Sequence, residues 1–381
     1  MTLAGCGVSR IMRAPAQAVI DLAAISHNVA LLRERAASAL LMAVVKADGY
    51  GHGMVPCARA ALEAGADWLA VAQAAEALAL RSAGINAAVL TMMAIPGEPY
   101  DELIRAGVDV AAGSSGLVGE IAAAARRAGR PARLHLKVDT GLSRGGAPAR
   151  DWQSVLDAAL SAEADGHVKL TGVWSHFACA DQPGHPSIRR QLGAFTEAID
   201  QAEKAGARPE VRHIANTAAA LTLPEARFDL IRPGGAVYGL STLPGGAPPD
   251  FRPAMTLRTR LAQVKRVPRG TGVSYGHRHV TTAEALLGLV PFGYADGMPR
   301  GAAGHALVHA RGRRRAVAGT VCMDQFVVDF GQEMASAGDE VILFGPGDAG
   351  EPTAQEWADT LGTISYDIVT RIGNRVPRVY S

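Results

Sequence analysis

The chain has 381 residues, 48% hydrophobic and 19% charged, with 38 Lys and Arg against 36 Asp and Glu and a formal net charge of +2. This length and apolar content allow two or three domains with large cores and exclude wholesale disorder. The near balance of charge argues against a dedicated binder of nucleic acid or anionic membranes.

In chain order, the first feature is "LAGC", ending at Cys6. It looks like a lipoprotein cleavage site but lacks the basic and apolar stretches that an export signal needs before it. From about residue 17 to 243 one phrase recurs: an Ala-rich helical stretch ends at Ala-Gly and a short apolar run follows. The pairs are Ala64-Gly65, Ala83-Gly84, Ala106-Gly107, Ala128-Gly129 and Ala205-Gly206. Alanine favours the helix, and glycine suits the left-handed residue just beyond it. With the runs "AVID", "LMAVVKAD", "KLTGVWSHF" and "FDLIRPG" added, roughly eight or nine strands alternate with helices, the rhythm of a parallel (β/α)8 TIM-like barrel. A doubly wound sheet is the alternative, weakened because no G-x-G-x-x-G follows the first strand.

After residue 243 the Pro/Gly-rich "LPGGAPPDFRPAM" reads as a linker. Short β-like runs then continue to residue 381, so the prediction is a barrel over 17–243 and a mainly β domain over 244–381, with residues 1–16 packing on the latter. The dense basic run Arg311, Arg313, Arg314 and Arg315 has no interleaved aromatics and reads as a solvated loop or hairpin tip. "TAQEWADTLG" is the one convincing late helix, with Thr353 and Glu356 as a capping box and Gly362 as its stop. No apolar run reaches the roughly 18 residues of a membrane span. The four cysteines, Cys6, Cys57, Cys179 and Cys322, are far apart without a C-x-x-C pair. No metal site is expected, and they read as reduced thiols of a cytoplasmic protein.

In a barrel, chemistry gathers at the C-terminal ends of strands. Lys46 ends "LMAVVK", where period two places it with Met42 and Val44 on one face. A lysine among apolar neighbours loses hydration, its pKa falls and its amine becomes nucleophilic. Gly49, Gly51 and Gly53 allow backbone to approach a ligand, and Tyr50 brings a hydroxyl. In "RLHLKVDTGLSRGG" the polar set His135, Lys137 and Asp139 should point into the barrel, where buried charges need partners. Arg144 follows, placed to fork onto a carboxylate. His176 ends another strand. Asn216 and Thr217 open a helix whose N-terminus is a natural phosphate seat. Arg232 ends a strand before Gly234 and Gly235, whose free amides could complete that seat.

These motifs together resemble the alanine racemase family of barrel-type pyridoxal-phosphate enzymes. The likeness runs in order through "AVVKADGYGHG", "HLKVDTGLSRGG", "SHFACAD", "RPGGAVYG", "GVSYGHRHV", "PFGYADG", "GTVCMDQFVVD" and "RVPRVY", almost the whole chain. It implies a barrel followed by a β domain, and it assigns roles. Lys46 carries pyridoxal 5'-phosphate on its amine. Tyr50, Thr217, the Gly234 and Gly235 amides and Tyr366 bind its phosphate, with Asn216 alongside. Arg232 donates to the pyridine nitrogen, and His176 lies by the ring. Arg144 touches the substrate carboxylate, and Lys137 matches a lysine carbamylated in many members. Tyr275, with Met323 and Asp324, comes from the other subunit of a head-to-tail homodimer, and Tyr294 guards the entrance. Lys46 and Tyr275 are then the two opposed bases, Lys46 for D-alanine and Tyr275 for L-alanine, in a cytoplasmic enzyme supplying D-alanine for peptidoglycan.

A phenol has a reference pKa of about 10, so Tyr275 needs cationic neighbours such as a His176–Arg232 array to act near neutrality. A guanidinium keeps its proton, so Arg232 leaves the pyridine unprotonated and restrains side reactions. The competing readings are a racemase of broader specificity, a barrel-type decarboxylase and a non-enzymatic cofactor carrier. A decarboxylase needs an acid where Arg232 stands, and a carrier lacks the β domain bearing Tyr275.

Overall fold

The computed structural model describes residues 14–381, so Cys6, the "LAGC" motif and the packing expected of residues 1–13 lie outside the described residues. The recurring Ala-Gly phrase folds as its chemistry demands. In Ser115–Ala128 the Ser114 side chain accepts from the Leu117 amide, and Gly129 closes the helix at φ 71°. Gly65, Gly84, Gly107 and Gly206 also take positive φ, where a Cβ would be strained.

The strands in this part are β1 (Ala16–Ile20), β2 (Leu40–Val44), β3 (Trp68–Val71), β4 (Ala88–Thr91), β5 (Asp109–Ala112), β6 (Ala132–Lys137), β7 (Val168–Trp174), β8 (Val211–His213) and β9 (Leu230–Ile231). Strands β2 to β9 form one eight-stranded sheet in the order β8-β7-β6-β5-β4-β3-β2-β9, and every pairing in it is parallel. The two outer strands meet through Asp229 N–H to Arg212 O at 3.2 Å and Arg232 N–H to Ala215 O at 2.9 Å. The ring is thus a nearly closed (β/α)8 barrel, whose two outer strands have little free edge left.

The strand expected near residue 18 is not part of that ring. β1 pairs antiparallel with Met255–Arg260 and parallel with Arg378–Tyr380, in a nine-stranded sheet built mainly from the C-terminal third. Its burial alternates residue by residue, whereas β3 and β5 are buried throughout. Alternation marks a sheet with one wet face, and continuous burial marks a barrel strand covered on both sides. The segment after residue 243 crosses back over helix Leu22–Ala36. Buried Asn28 holds it there, donating to Val237 O and Arg252 O and accepting from the Arg252 amide.

The late helix Ala354–Leu361 has both halves of the Thr353–Glu356 capping box and a left-handed Gly362. The arginine run is only partly a hairpin tip. Leu307–Ala310 and Arg313–Ala318 are joined through Arg311 and Gly312, both at positive φ, as a two-residue hairpin turn requires. Arg315, however, is buried, stacks over Phe330 at 4.4 Å and pairs with Glu333. Arg314 binds Glu356 at 2.6 Å. Strand alternation turns Arg315 toward the core, where ring and carboxylate compensate its burial.

Candidate active site

β2 ends at Val44, and the chain then makes an unusual turn. Ala47, Asp48, Gly49 and Tyr50 take φ values of 53°, 52°, 62° and 53°, one turn of left-handed helix. Each non-glycine residue there costs on the order of 1–3 kcal/mol, so the surroundings must over-determine it. They do. The Ala47 amide donates to Glu76 Oε1 at 2.6 Å and the Met54 amide to Asp48 Oδ1 at 2.8 Å. Arg378, from the last strand, donates to Gly51 O at 2.9 Å. At Gly51 itself, φ is 79° and an added Cβ would sit 2.5 Å from Val369 O. The turn puts Lys46 and Tyr50 on the same cavity.

That cavity, at the C-terminal mouth of the barrel, has a volume of about 800 Å³. Lys46, Lys137, Arg144 and Arg232 line it together with His176, and among the described residues no Asp or Glu does. Burial, then Arg144 and Arg232, depress the Lys46 amine, with Glu76 opposing. Burial and the same two arginines push Lys137 down to about 8. Burial and then Arg232 hold His176 far below its ordinary range, so His176 is a neutral ring. The cationic array anticipated there is therefore Arg232 alone. Burial lowers Arg232 to about 9, which still leaves it charged at neutrality. Its Nη1 donates to His213 Nδ1 at 2.8 Å, and its Nη2 to Ser175 O at 2.7 Å and His176 Nδ1 at 3.3 Å.

Opposite these cations is a cradle of small residues and hydroxyls. An added Cβ on Gly234 would lie 2.2 Å from the Tyr50 hydroxyl, and one on Gly235 would lie 2.1 Å from the Tyr366 hydroxyl. Burial raises both phenols, Tyr366 to about 12, so they are neutral donors. Thr217 opens helix Thr217–Thr222, and Asn216 lines the cavity while its Oδ1 caps that helix at Ala219 N. One expectation changes: the Gly234 amide is not free, because it donates to Thr217 Oγ1 at 2.9 Å. Hydroxyls and helix N-terminus in a carboxylate-free space fit a phosphate monoester. Lys46 supplies the amine that a pyridoxal carbonyl requires.

Four predicted residues are elsewhere. Tyr275, Tyr294, Met323 and Asp324 do not line the cavity. They lie on neighbouring loops of the second sheet region, where Tyr294 and Ala295 amides donate to Cys322 O and Met323 O. Thr320 Oγ1 holds Tyr275 O at 2.7 Å. Tyr275 is 74% exposed, Met323 52% and Tyr294 42%, and Asp324 pairs with Arg375 at 2.8 Å. Conversely, Thr242, Trp174 and the Met92–Ile95 segment line the cavity without having been anticipated. Only the closure of the barrel brings them there, and nothing in their local sequence announces it.

Comparison with known proteins agrees with this architecture. The family described as "Alanine racemase, N-terminal domain" matches residues 20–242, and "Alanine racemase, C-terminal domain" matches 254–380. The alanine racemase of Thermobifida fusca is 60% identical, covering 96% of this chain and 98% of that protein. That of Frankia casuarinae is 59% identical, with 95% of each chain covered. The crystal structure of the Streptomyces lavendulae alanine racemase superposes with a TM-score of 0.95 at 56% identity, over 97% of each chain. With both domains matched, the whole length shared and the fold superposed, the chain belongs to the alanine racemase family.

Proposed function

We propose that the protein interconverts L- and D-alanine with pyridoxal 5'-phosphate held in the barrel cavity. The observation that carries this reading is a desolvated Lys46 amine in a space with three other basic side chains and, among the described residues, no carboxylate, closed at one end by the Tyr50, Thr217 and Tyr366 hydroxyls. Those hydroxyls and the Gly235 amide would hold the phosphate, and Lys46 would join the cofactor carbonyl. When bound, the cofactor supplies the electron-withdrawing system that acidifies the substrate Cα–H. Arg232 has only donors to offer and keeps its own proton at neutral pH, so it orients the ring without protonating it. Arg144 is the free guanidinium for the substrate carboxylate.

Racemisation needs a base on each face of Cα. Lys46 serves one face. Tyr275 serves the other, from a second copy in a head-to-tail homodimer, with Met323, Asp324 and Tyr294 beside the substrate entrance. Its exposure outside its own cavity supports that arrangement. Lys137, half-neutral near pH 8 by its lowered pKa, is suited to carbamylation, which would turn a cationic side chain into an anionic one and order Arg144. The free thiols of Cys57, Cys179 and Cys322 suit a cytoplasmic enzyme supplying D-alanine for peptidoglycan. Among the described residues no helix is long and apolar enough to cross a membrane.

Chiral analysis of a panel of L-amino acids tests the reading. Alanine should racemise far faster than other substrates, and borohydride should fix the cofactor on Lys46. Label on another residue, or no product of opposite hand from alanine, would reject it.

A further inference from the structure

Below the cavity, along the barrel axis, four buried side chains form one line. Arg232 Nη1 meets His213 Nδ1 at 2.8 Å, and His213 Nε2 meets His135 Nδ1 at 3.1 Å. His135 Nε2 meets Asp109 Oδ2 at 3.1 Å, and Asp109 Oδ1 accepts from Arg133 Nε at 2.8 Å. Asp109, His135, His213 and Arg232 are at most 3% exposed. They come from β5, β6, β8 and the residue after β9, so the barrel alone brings them together.

The proton positions in this line are forced. A guanidinium only donates, so His213 Nδ1 is bare and its proton is on Nε2. That proton faces His135 Nδ1, which must also be bare, leaving His135 protonated on Nε2 toward a carboxylate that only accepts. Both rings are neutral, in one tautomer, and every bond points from the cavity to Asp109. Among the described residues Arg232 touches no carboxylate: its other acceptors are Ser175 O, Ile214 O and His176. Asp109 is the anion its hydrogen bonds lead to. Trp174 stacks on His213 at 7° between planes, and Trp68 meets His135 edge-on, so neither ring is free to turn over.

We propose that Asp109 is a positioning residue for the reaction: through His135 and His213, as a one-way hydrogen-bond relay, it holds the Arg232 guanidinium in a single orientation toward the bound ring. This rests on the proposed function. The relay fixes Nη1 on His213, and Ser175 O, Ile214 O and His176 fix Nη2, which together set the plane of the guanidinium and the direction of its Nε–H.

The test begins with the cofactor-free protein labelled with 15N in histidine and arginine. His135 and His213 should each show a protonated Nε2 and a bare Nδ1. A proton on Nδ1 of either ring, or a doubly protonated ring, overturns the relay. Asp109→Leu should then speed rotation and proton exchange of the Arg232 Nη groups by about tenfold or more, the scale of losing one buried hydrogen bond. Asp109→Asn, which keeps an acceptor for His135, should fall between. Unchanged Arg232 signals in Asp109→Leu refute the positioning role. If that variant does not fold, His135→Gln, which can accept from His213 and donate to Asp109, should retain the wild-type Arg232 signals, and His135→Leu should lose them. Equal behaviour of the two refutes the proposal as well. In the loaded enzymes the loss should fall on kcat, with KM for alanine within about twofold. Failure of the wild-type protein to racemise alanine would sink the proposed function, yet the magnetic resonance results would still decide the relay.

Discussion

The cavity in the barrel and the Tyr275 face of the second sheet region are built on opposite terms. In the cavity, Lys46, Tyr50, His176, Thr217, Arg232 and Tyr366 converge from many elements, and burial has moved most of their pKa values. On the Tyr275 face the residues come from neighbouring loops, and the phenol is 74% exposed. On the proposed reading, the barrel therefore holds the whole cofactor site with a base on one side only. The second region presents groups with nothing to act on in their own chain. The proposed reaction needs two faces of one carbon, and the proposed homodimer would serve it by setting the second region of one copy over the cavity of another.

The largest break in this comparison is Lys46→Ala. It removes both the proposed attachment point and one proposed base, and racemisation should fall by at least about 10³-fold, read by chiral chromatography in either direction. Tyr275→Phe should separate the two regions. Exchange of the L-alanine α-proton into solvent should drop by roughly 10²–10⁴-fold, while cofactor titration should stay close to wild type, because the groups proposed to hold the cofactor, Lys46, Tyr50, Thr217, Arg232 and Tyr366, are unchanged. Normal exchange in that variant would mean that the exposed face is inert. Mixing it with inactive Lys46→Ala should restore some activity in hybrid dimers, since one of their two shared sites keeps both bases.

A smaller effect sharpens the link between the regions inside one chain. Gly51 stands at φ 79° against Val369 O of helix Ser365–Thr370. Gly51→Ala should lower stability by about 1–3 kcal/mol in a denaturant melt and weaken cofactor binding, because the left-handed turn carries Lys46. A variant as stable as wild type would show that the turn is not braced from the C-terminal side.

The barrel was legible because its rhythm is local: alanine helices, glycine stops and continuous apolar strands each follow from a few residues. β1 was misplaced for the same reason. "AVID" looks like one more strand, and only its pairing with Met255–Arg260 shows where it belongs. The glycines around Lys46 pointed to close approach, but left-handed Ala47 and Asp48 depend on Glu76 and Met54, which local sequence does not connect to them. Within the described chain, Tyr275 carries no local mark of chemistry, and it was reached by family resemblance. The Asp109–His135–His213 line was invisible for a third reason, since its members come from three different barrel strands rather than one stretch of sequence.

The finest test concerns charge inside the finished half of the comparison. Lys137 is crowded by Arg144 and Arg232, and its folded pKa is about 8 against 10.5 in the free side chain. Between those values the unfolded chain binds more protons than the folded one, so this lysine makes stability rise with pH through that window. Its penalty is fully present below about pH 8 and fades toward pH 10.5, with an upper bound of about 3 kcal/mol from the size of the shift. Lys137→Met should therefore be the more stable protein at pH 7 in the cofactor-free state, and the gap should close by pH 10. Bicarbonate discriminates further. If Lys137 takes up carbon dioxide, bicarbonate at pH 7.5 should stabilise wild type and leave Lys137→Met unmoved, because converting the ammonium to a carbamate replaces repulsion by attraction to Arg144. A gap independent of both pH and bicarbonate would show that the cationic crowding at this position has no energetic consequence.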